Sequence, residues 1–357
     1  MSLKERLTAE IAATGPVSVA DYMARCLFDP RDGYYAVRPE LGEDGDFITA
    51  PLVSQMFGEL VGLWAVETWV GLGRPGRFRL IEMGPGDGTL MGDALRAAAL
   101  APDFMAAAEL WLIEPSDPLR EMQRAALAEA ALAPTWTPEL DAVPPGAPIV
   151  LIANELLDCL PARQFVRTPK GWAERMVGLD QAGALAFGLQ PVLMPDGAPE
   201  DLEPGVVWEA SSAQAVLGAE VGERIAADGG AALFVDYGRA QPEPGDTLQA
   251  LRRHARVSPL AEPGAADMTV WADFPAFRAG AEAAGAMTGL LTQGEFLRRL
   301  GVFERAAALS AARPDRADAI ARQLARLVEP EQMGELFKAC AVWEAGRPPP
   351  PAFEDAA

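Results

Sequence analysis

Apolar residues recur at helical spacing through the first 75 positions. Ser2–Ala13 and Val17–Cys26 each carry one apolar face, Ser18 is placed to cap the second, and Leu52–Leu72 reads as a longer helix. A Gly/Asp-rich loop, Asp29–Asp46, lies between the last two and contains Gly33-Tyr34-Tyr35. From position 76 short, solid apolar runs alternate with helical periods. Phe78–Met83 precedes a helix over Thr89–Leu100, and Leu110–Ile113 precedes one over Asp117–Leu132; Thr135–Thr137 and Ile149–Ala153 follow as further strands. That alternation predicts a parallel sheet covered by helices. Between 160 and 229 the period becomes two. Ala162–Arg167, Trp172–Gly178 and Ala184–Leu189 alternate like antiparallel strands between Pro/Gly/Asp turns, and a helix over Ser211–Ala227 closes the stretch. The first pattern resumes at Ala231–Val235 and continues through Ala286–Leu291, a helix from Glu295 and a last strand at Lys338–Trp343. The tail from Arg347 is proline-rich, then acidic, and reads as a solvated end.

The expected organisation is an α/β core, Rossmann-like, carried by 76–159 and 230–346. A helical extension or lid (1–75) precedes it, a β-rich substrate region (160–229) is inserted in it, and a tail (347–357) follows. The 357 residues are 50% hydrophobic and 23% charged, which suits a folded globular chain. No apolar run approaches the roughly 18 residues of a membrane span, so no membrane insertion is expected. The net charge of −21 repels phosphate backbones and no basic stripe offsets it, which argues against a nucleic-acid partner. Arginine outnumbers lysine 27 to 3, a coding bias rather than a binding patch. Cys26, Cys159 and Cys340 lack paired spacing and His254 is the single histidine, so reduced thiols and no metal site are expected. The N-terminus shows neither a secretory apolar core nor a transit-peptide composition, and a cytoplasmic location follows as an expectation.

The chemistry concentrates in Leu80-Ile81-Glu82-Met83-Gly84-Pro85-Gly86-Asp87-Gly88-Thr89-Leu90, a buried strand entering a glycine loop and then a helix. A dinucleotide fold spaces its glycines G-x-G-x-x-G around a pyrophosphate. Here Thr89 stands where the third glycine would be, and Glu82 would repel a phosphate. A carboxylate at that point suits a cationic ligand. S-adenosylmethionine (SAM) has no phosphate and carries a sulfonium and an ammonium, and E-x-G-x-G-x-G is the spacing of class I SAM-dependent methyltransferases. Glu114 ends the next strand 26 residues after Gly88, placed to accept both ribose hydroxyls. A plain strand–helix turn and an NAD site are the rival readings of the loop.

The strand Ile149–Ala153 runs into Asn154-Glu155-Leu156-Leu157-Asp158. Strand ends of an open parallel sheet face the ligand crevice, so Asn154, Glu155 and Asp158 should stand near the transferred methyl. The Asn/Asp-Pro-Pro-Tyr/Phe motif of DNA and glutamine methyltransferases is absent. Carboxylates suit a basic acceptor, and a guanidinium matches them bidentately. Glu155 and Asp158 also fit as helix-starting caps. Asp236, in Asp236-Tyr237-Gly238, reads equally as a substrate-orienting group or a loop cap.

Taken together, the chain resembles the MidA family, the mitochondrial complex I assembly-factor type of protein arginine methyltransferase and its bacterial relatives. The resemblance rests on Gly15-Pro16-Val17-Ser18, Asp29-Pro30, Gly33-Tyr34-Tyr35, Asp46-Phe47-Ile48-Thr49-Ala50-Pro51, Ser54-Gln55-Met56-Phe57-Gly58-Glu59, the glycine loop, Asn154–Asp158, Asp236–Gly238, Gly245–Ala250 and Thr292-Gln293-Gly294. It implies a class I core with SAM as cofactor and a protein substrate, in the eukaryotic members a complex I subunit near the quinone site, symmetrically dimethylated on arginine. Thr49, Pro51, Ser54 and Gln55 would then close over SAM, unless they merely cap and pack. The family commonly has Ala-His where this chain has Val270-Trp271, so no role for that histidine carries over. A small-molecule methyltransferase and a SAM-binding assembly chaperone without turnover remain as alternatives.

Overall fold

The computed structural model describes residues 1–37 and 49–355. Asp46-Phe47-Ile48 of the motif above lies outside the described residues. Among the described residues seven strands form the central sheet: β1 (Phe78–Met83), β2 (Ala108–Ile113), β3 (Thr135–Thr137), β4 (Ile149–Asn154), β5 (Gly230–Arg239), β6 (Ala286–Thr292) and β7 (Phe337–Glu344). Their spatial order is β6-β7-β5-β4-β1-β2-β3, with a two-residue strand, Ala272–Asp273, beside the end of β5. Only β7 runs against its neighbours. Every residue of β1 and β5 is buried, as strands covered on both faces require. Strand order reverses between β1 and β4, and the crevice at such a switch point is where open α/β sheets bind ligands.

The helices are α1 (Leu3–Thr14), α2 (Val19–Phe28), α3 (Tyr34–Val37), α4 (Ala50–Val53), α5 (Gln55–Gly71), α6 (Thr89–Ala98), α7 (Pro102–Ala107), α8 (Asp117–Ala126), α9 (Ser212–Asp228), α10 (Phe274–Ala283), α11 (Gln293–Arg299), α12 (Val302–Ala312) and α13 (Ala317–Val328). One core lies between the sheet and α5, α6 and α11–α13, around Trp64, Phe104 and Phe296. The second lies under α9 and α10, around Phe234, Phe274 and Phe277. Small residues set both helix contacts: a Cβ on Gly62 would stand 2.5 Å from the Ala94 carbonyl, and one on Gly218 2.0 Å from the Phe277 carbonyl.

Several elements differ from the sequence reading. The helix expected over Leu52–Leu72 breaks at Ser54, whose extended backbone separates α4 from α5 and whose Oγ accepts from the Met56 N–H at 3.3 Å. β5 does not end at Val235 but continues to Arg239, because Ala272–Asp273 pairs with its last residues; Asp236 and Tyr237 are therefore inside the strand. The antiparallel sheet of Arg163–Thr168, Gly171–Leu179, Leu185–Val192 and Val207–Ala210 takes a fifth strand, Val17–Ser18, from the N-terminal segment. A three-stranded sheet, Gln249–Arg252, Ala255–Val257 and Asp267–Thr269, has no counterpart in the hydrophobic pattern, and His254 sits exposed in its hairpin turn at φ +60°. The tail is not a solvated end: Phe353 is wholly buried, 5.8 Å ring to ring from Phe296. Among the described residues no helix is long and apolar enough to cross a membrane.

Candidate active site

The C-terminal tips of β1 to β4 open into one cavity of about 530 Å³. Gly84 and Gly86 after β1, Glu114 and Pro115 after β2, Pro138–Leu140 after β3, and Asn154 and Glu155 at β4 supply its floor. Phe28, Tyr35, Thr49, Pro51 and Leu52 from the N-terminal segment cover one side, and Ala213, Val216 and Leu217 of α9 another.

The glycine loop folds tightly because its residues permit left-handed backbone. Gly84 (φ +68°) donates its N–H to the Ile113 carbonyl at 3.0 Å. Gly88 (φ +89°) caps α6 and packs on α8, where a Cβ would approach Ala126 Cβ to 3.3 Å. Gly88 thus supports the loop from behind, whereas Gly84 and Gly86 face the cavity. The Asp87 carboxylate accepts from the Thr89 N–H at 2.9 Å. It occupies the helix end that a pyrophosphate would need.

Glu82 is 2% exposed and lines the cavity, and its Oε2 is buried without a hydrogen-bond partner. Burial, with Asp87 adding, pushes this carboxyl up to about 8. An orphaned carboxylate oxygen in a cavity wall is the complement of a cationic ligand group. Glu114 is also buried; its Oε1 accepts from the Ser116 N–H at 2.8 Å and its Oε2 from Gln123 Nε2 at 3.3 Å. A carboxylate has about four acceptor positions, so two such bonds orient Glu114 and leave room for a diol. Burial raises its pKa, and the Ser116 and Gln123 donors oppose the rise. The wall therefore fits SAM: two buried carboxylates, Glu82 and Glu114, set in a mainly apolar lining.

At β4, Glu155 adopts φ +52°, a conformation that costs a non-glycine residue about 1–3 kcal/mol. Its Oε1 accepts from the Ala50 N–H at 3.1 Å and from Asn154 Nδ2 at 2.9 Å. Burial and then the nearby Asp158 raise its carboxyl to about 7. Asp158 itself is raised by burial to about 6. The wholly buried Asp236 pins the turn: its Oδ2 accepts from the Leu157 and Asp158 N–H groups at 2.8 and 3.1 Å, and its Oδ1 from the Tyr237 N–H at 2.8 Å. Of the two roles open to Asp236 in the sequence, loop fixation is the one its hydrogen bonds serve.

Thr49 and Pro51 reach the cavity, but Ser54 and Gln55 do not line it. Ser54 caps α5, and Gln55 is exposed and donates to Glu59 Oε1 at 3.1 Å. Glu59 in turn binds Arg305 at 2.7 and 2.9 Å and Arg96 at 3.3 Å. The Ser-Gln-x-Phe-Gly-Glu stretch therefore anchors α5 to α6 and α12, and only α4 ahead of it faces the cavity. The sequence pattern does not single out Pro138–Leu140, although they follow a recognisable strand at the same sheet edge. Tyr35 stands in the sequence only as part of a motif, and no local signal marks Asp267.

Comparison with known proteins gives three results. Residues 60–292 match the family described as "Putative S-adenosyl-L-methionine-dependent methyltransferase". The chain is 35% identical to the mitochondrial protein arginine methyltransferase NDUFAF7 of Mus musculus, over 93% of this chain and 82% of that one, and 34% identical to the Homo sapiens protein, over 93% and 81%. Among solved structures, a superfamily member from Burkholderia thailandensis bound to S-adenosyl-homocysteine superposes with a TM-score of 0.86 at 28% identity, covering 99% of this chain and 95% of that one. The curated relatives are named mitochondrial, so the comparisons lend the expected cytoplasmic location no support.

Proposed function

From the premise that this chain belongs to the S-adenosyl-L-methionine-dependent methyltransferase family, we propose that it methylates an arginine side chain of a protein substrate. The observation that carries the reading is the pair of carboxylates, Glu155 and Asp158, beside the SAM-fitting wall. Relatives about one-third identical along nearly the whole chain bear the name of that activity. In this reading Glu82 faces the cationic amino-acid end of SAM and Glu114 takes the ribose hydroxyls. Gly84 and Gly86 let the donor approach the backbone, Gly88 holds the loop, and Thr49 and Pro51 close over it. The segment 1–75 serves as a lid and the insertion 160–229 as the substrate region, while 76–159 and 230–346 carry the donor core.

When bound, SAM supplies a methyl group on a sulfonium, primed for in-line displacement. The chain's contribution is positioning and charge. Two donors occupy Glu155 Oε1, so its other oxygen is left to orient the attacking guanidinium nitrogen. Asp158 neutralises the acceptor's charge from the side. As the nitrogen takes the methyl group it loses a proton, and a carboxyl raised to about 7 is suited to receive it near neutral pH. Asn154 fixes the Glu155 rotamer.

The family resemblance adds a finer expectation: the acceptor is a subunit of respiratory complex I near its quinone site, symmetrically dimethylated. The cytoplasm is the compartment proposed for this chain. The test is mass spectrometry of arginine methylation in cells with and without the gene, respiratory subunits first, with fractionation to check the compartment. An arginine methylated only when the gene is present is expected. Unchanged arginine methylation, together with SAM-dependent labelling of a small metabolite by the purified protein, replaces this reading with the small-molecule one.

A further inference from the structure

Helix α8 buries Leu119 and Gln123, with Leu127 at its C-terminal end. An apolar side chain would serve packing at 123, so a wholly buried amide there calls for a reason beyond stability. Its hydrogen bonds supply one. Gln123 Nε2 donates to the Gly86 carbonyl at 2.9 Å and to Glu114 Oε2 at 3.3 Å, and its Oε1 accepts from Trp136 Nε1 at 2.8 Å. Gly86 lies in the loop after β1, Glu114 follows β2, and Trp136 is on β3. One side chain thus ties three neighbouring strand ends together. The orientation of the amide is fixed by its partners. An indole N–H can only donate, so the Gln123 oxygen must face Trp136, and both amide hydrogens are left for Gly86 and Glu114. The glycine loop packs on the same residue: a Cβ on Gly88 would meet the Gln123 Cα at 3.4 Å.

We propose that Gln123 is a positioning residue for the ribose of the methyl donor: it holds the Glu114 carboxylate against the Gly86 loop and so sets the selectivity of the site for a vicinal diol. This rests on the reading of Glu114 as the ribose acceptor. The choice of residue follows from chemistry. A carboxylate that takes two hydroxyls must be fixed in orientation and must keep its charge. A lysine or arginine at 123 would fix it by ion pairing, fill its acceptor positions and cancel the charge that the hydroxyls meet. A leucine or methionine would leave it unrestrained on that side. The amide donates one bond to each partner and brings no net charge. Its bond to Oε2, with that of the Ser116 N–H to Oε1, restrains both carboxylate oxygens, one from α8 and one from the loop after β2. Its bond to the Gly86 carbonyl ties that carboxylate to the loop where the donor meets the backbone. Trp136 completes the constraint. The Arg124 guanidinium lies over its ring, 4.9 Å from the centroid, so the group that orients Gln123 is itself held by the next residue of α8.

The test measures, by calorimetry on the full-length protein, the affinities of S-adenosyl-homocysteine and of its 2′,3′-dideoxy analogue, and compares their ratio between variants. The wild type should prefer the diol by about 30-fold or more, since both hydroxyls bond to a charged acceptor. Gln123→Met keeps the length of the side chain without its donors. Its ratio should fall to about fivefold or less, because S-adenosyl-homocysteine loses affinity while the dideoxy analogue, which does not use Glu114, changes by less than about threefold. A role in packing alone would weaken both ligands alike. A ratio that stays at its wild-type value in Gln123→Met, or a loss of both ligands together, therefore overturns the proposal and leaves Glu114 as the ribose acceptor. Equal binding of the two ligands by the wild type takes the ribose away from Glu114, and the proposal falls with it. Gln123→Met also strands the Trp136 N–H, so melting is followed alongside. Where the variant melts well below the wild type, Gln123→Met combined with Trp136→Phe, which removes the stranded donor, decides by the same ratio: a collapsed ratio supports the positioning role and a preserved one ends it.

Discussion

Two walls of one cavity are made in different ways. The floor comes from consecutive strand tips of one sheet, Gly84, Glu114, Leu140 and Glu155, each delivered by the residues just before it. The roof comes from Phe28, Tyr35, Thr49, Pro51 and Asp267, and its pieces are brought together by contacts across hundreds of residues. Floor positions are fixed by a parallel ladder that would survive the loss of any one side chain. Roof positions depend on single hydrogen bonds and on packing at a distance. The difference implies that substitutions at the Gly84 and Glu114 tips act on donor binding alone, whereas substitutions in the remote-contact regions act first on stability or on how the cavity closes over its ligands.

The tail tests the remote-contact side hardest. Phe353 is wholly buried against Phe296, behind the layer of α11 that backs the sheet. Phe353→Ala should cost about 3–5 kcal/mol, since a buried aromatic loses its transfer energy and leaves a cavity. Urea unfolding reads this directly. A cost below about 1 kcal/mol would mean that the tail is only draped on the core and that long-range closure contributes little to stability.

On the floor, Gly84→Val places a β-branched residue at φ +68° and sends its methyl groups toward Leu156, whose Cδ1 would already lie 2.9 Å from the new Cβ. The strain of about 1–3 kcal/mol and the filled approach should weaken S-adenosyl-homocysteine binding by about 100-fold, read by calorimetry, with far less change in unfolding than Phe353→Ala. An equal fall in both quantities would dissolve the distinction between floor and remote packing.

Glu82→Gln sharpens it with pH. The carboxyl is raised from 4.5 to about 8 in the folded chain, chiefly by burial. The folded state therefore prefers it protonated. Its contribution to stability is present in full below pH 4.5 and is lost as pH climbs through 8. A tenfold difference in proton affinity between the folded and unfolded chain corresponds to about 1.4 kcal/mol. The wild type without donor should lose stability between about pH 5 and 8, and Glu82→Gln should flatten part of that slope. Glu155 and Asp158, raised to about 7 and about 6, keep the remainder with the same sign. Donor affinity should fall about tenfold in Glu82→Gln at pH 8, because an ion pair with the ligand is replaced by a neutral contact. A slope unchanged by the substitution would remove Glu82 as its source.

The contrast also explains what could be read from the sequence. β1 and β3 were legible to the residue, because a solid apolar run beside a glycine loop or a short β-branched run is a local signal. Glu82 and Glu114 came with their strands. The roof was not legible in the same way. Tyr35 meets Asp267 only once α1, α2 and the three-stranded sheet share a core, and no local period announces that. The 160–229 stretch reads as self-contained by its period of two, yet it borrows Val17–Ser18 as a strand. Phe353 was hidden by the four prolines and acidic residues around it, a composition that elsewhere stays in water.

A motif that carries the family resemblance gives the smallest expected effect. Ser54-Gln55-Met56-Phe57-Gly58-Glu59 invites a ligand role, yet Ser54 spends its hydroxyl on the Met56 N–H and Gln55 its amide on Glu59. Ser54→Ala removes an N-cap and should cost about 1 kcal/mol of stability. Gln55→Ala, at an exposed position, should stay within about 0.5 kcal/mol. Neither should change S-adenosyl-homocysteine affinity by more than about twofold, because the break at Ser54 turns only α4, with Pro51 and Leu52, toward the cavity. Calorimetry on both variants checks this. A tenfold loss of affinity in Gln55→Ala would show that the roof closes further around the donor than its hydrogen bonds to Glu59 allow, and Gln55 would then belong with Thr49 and Pro51.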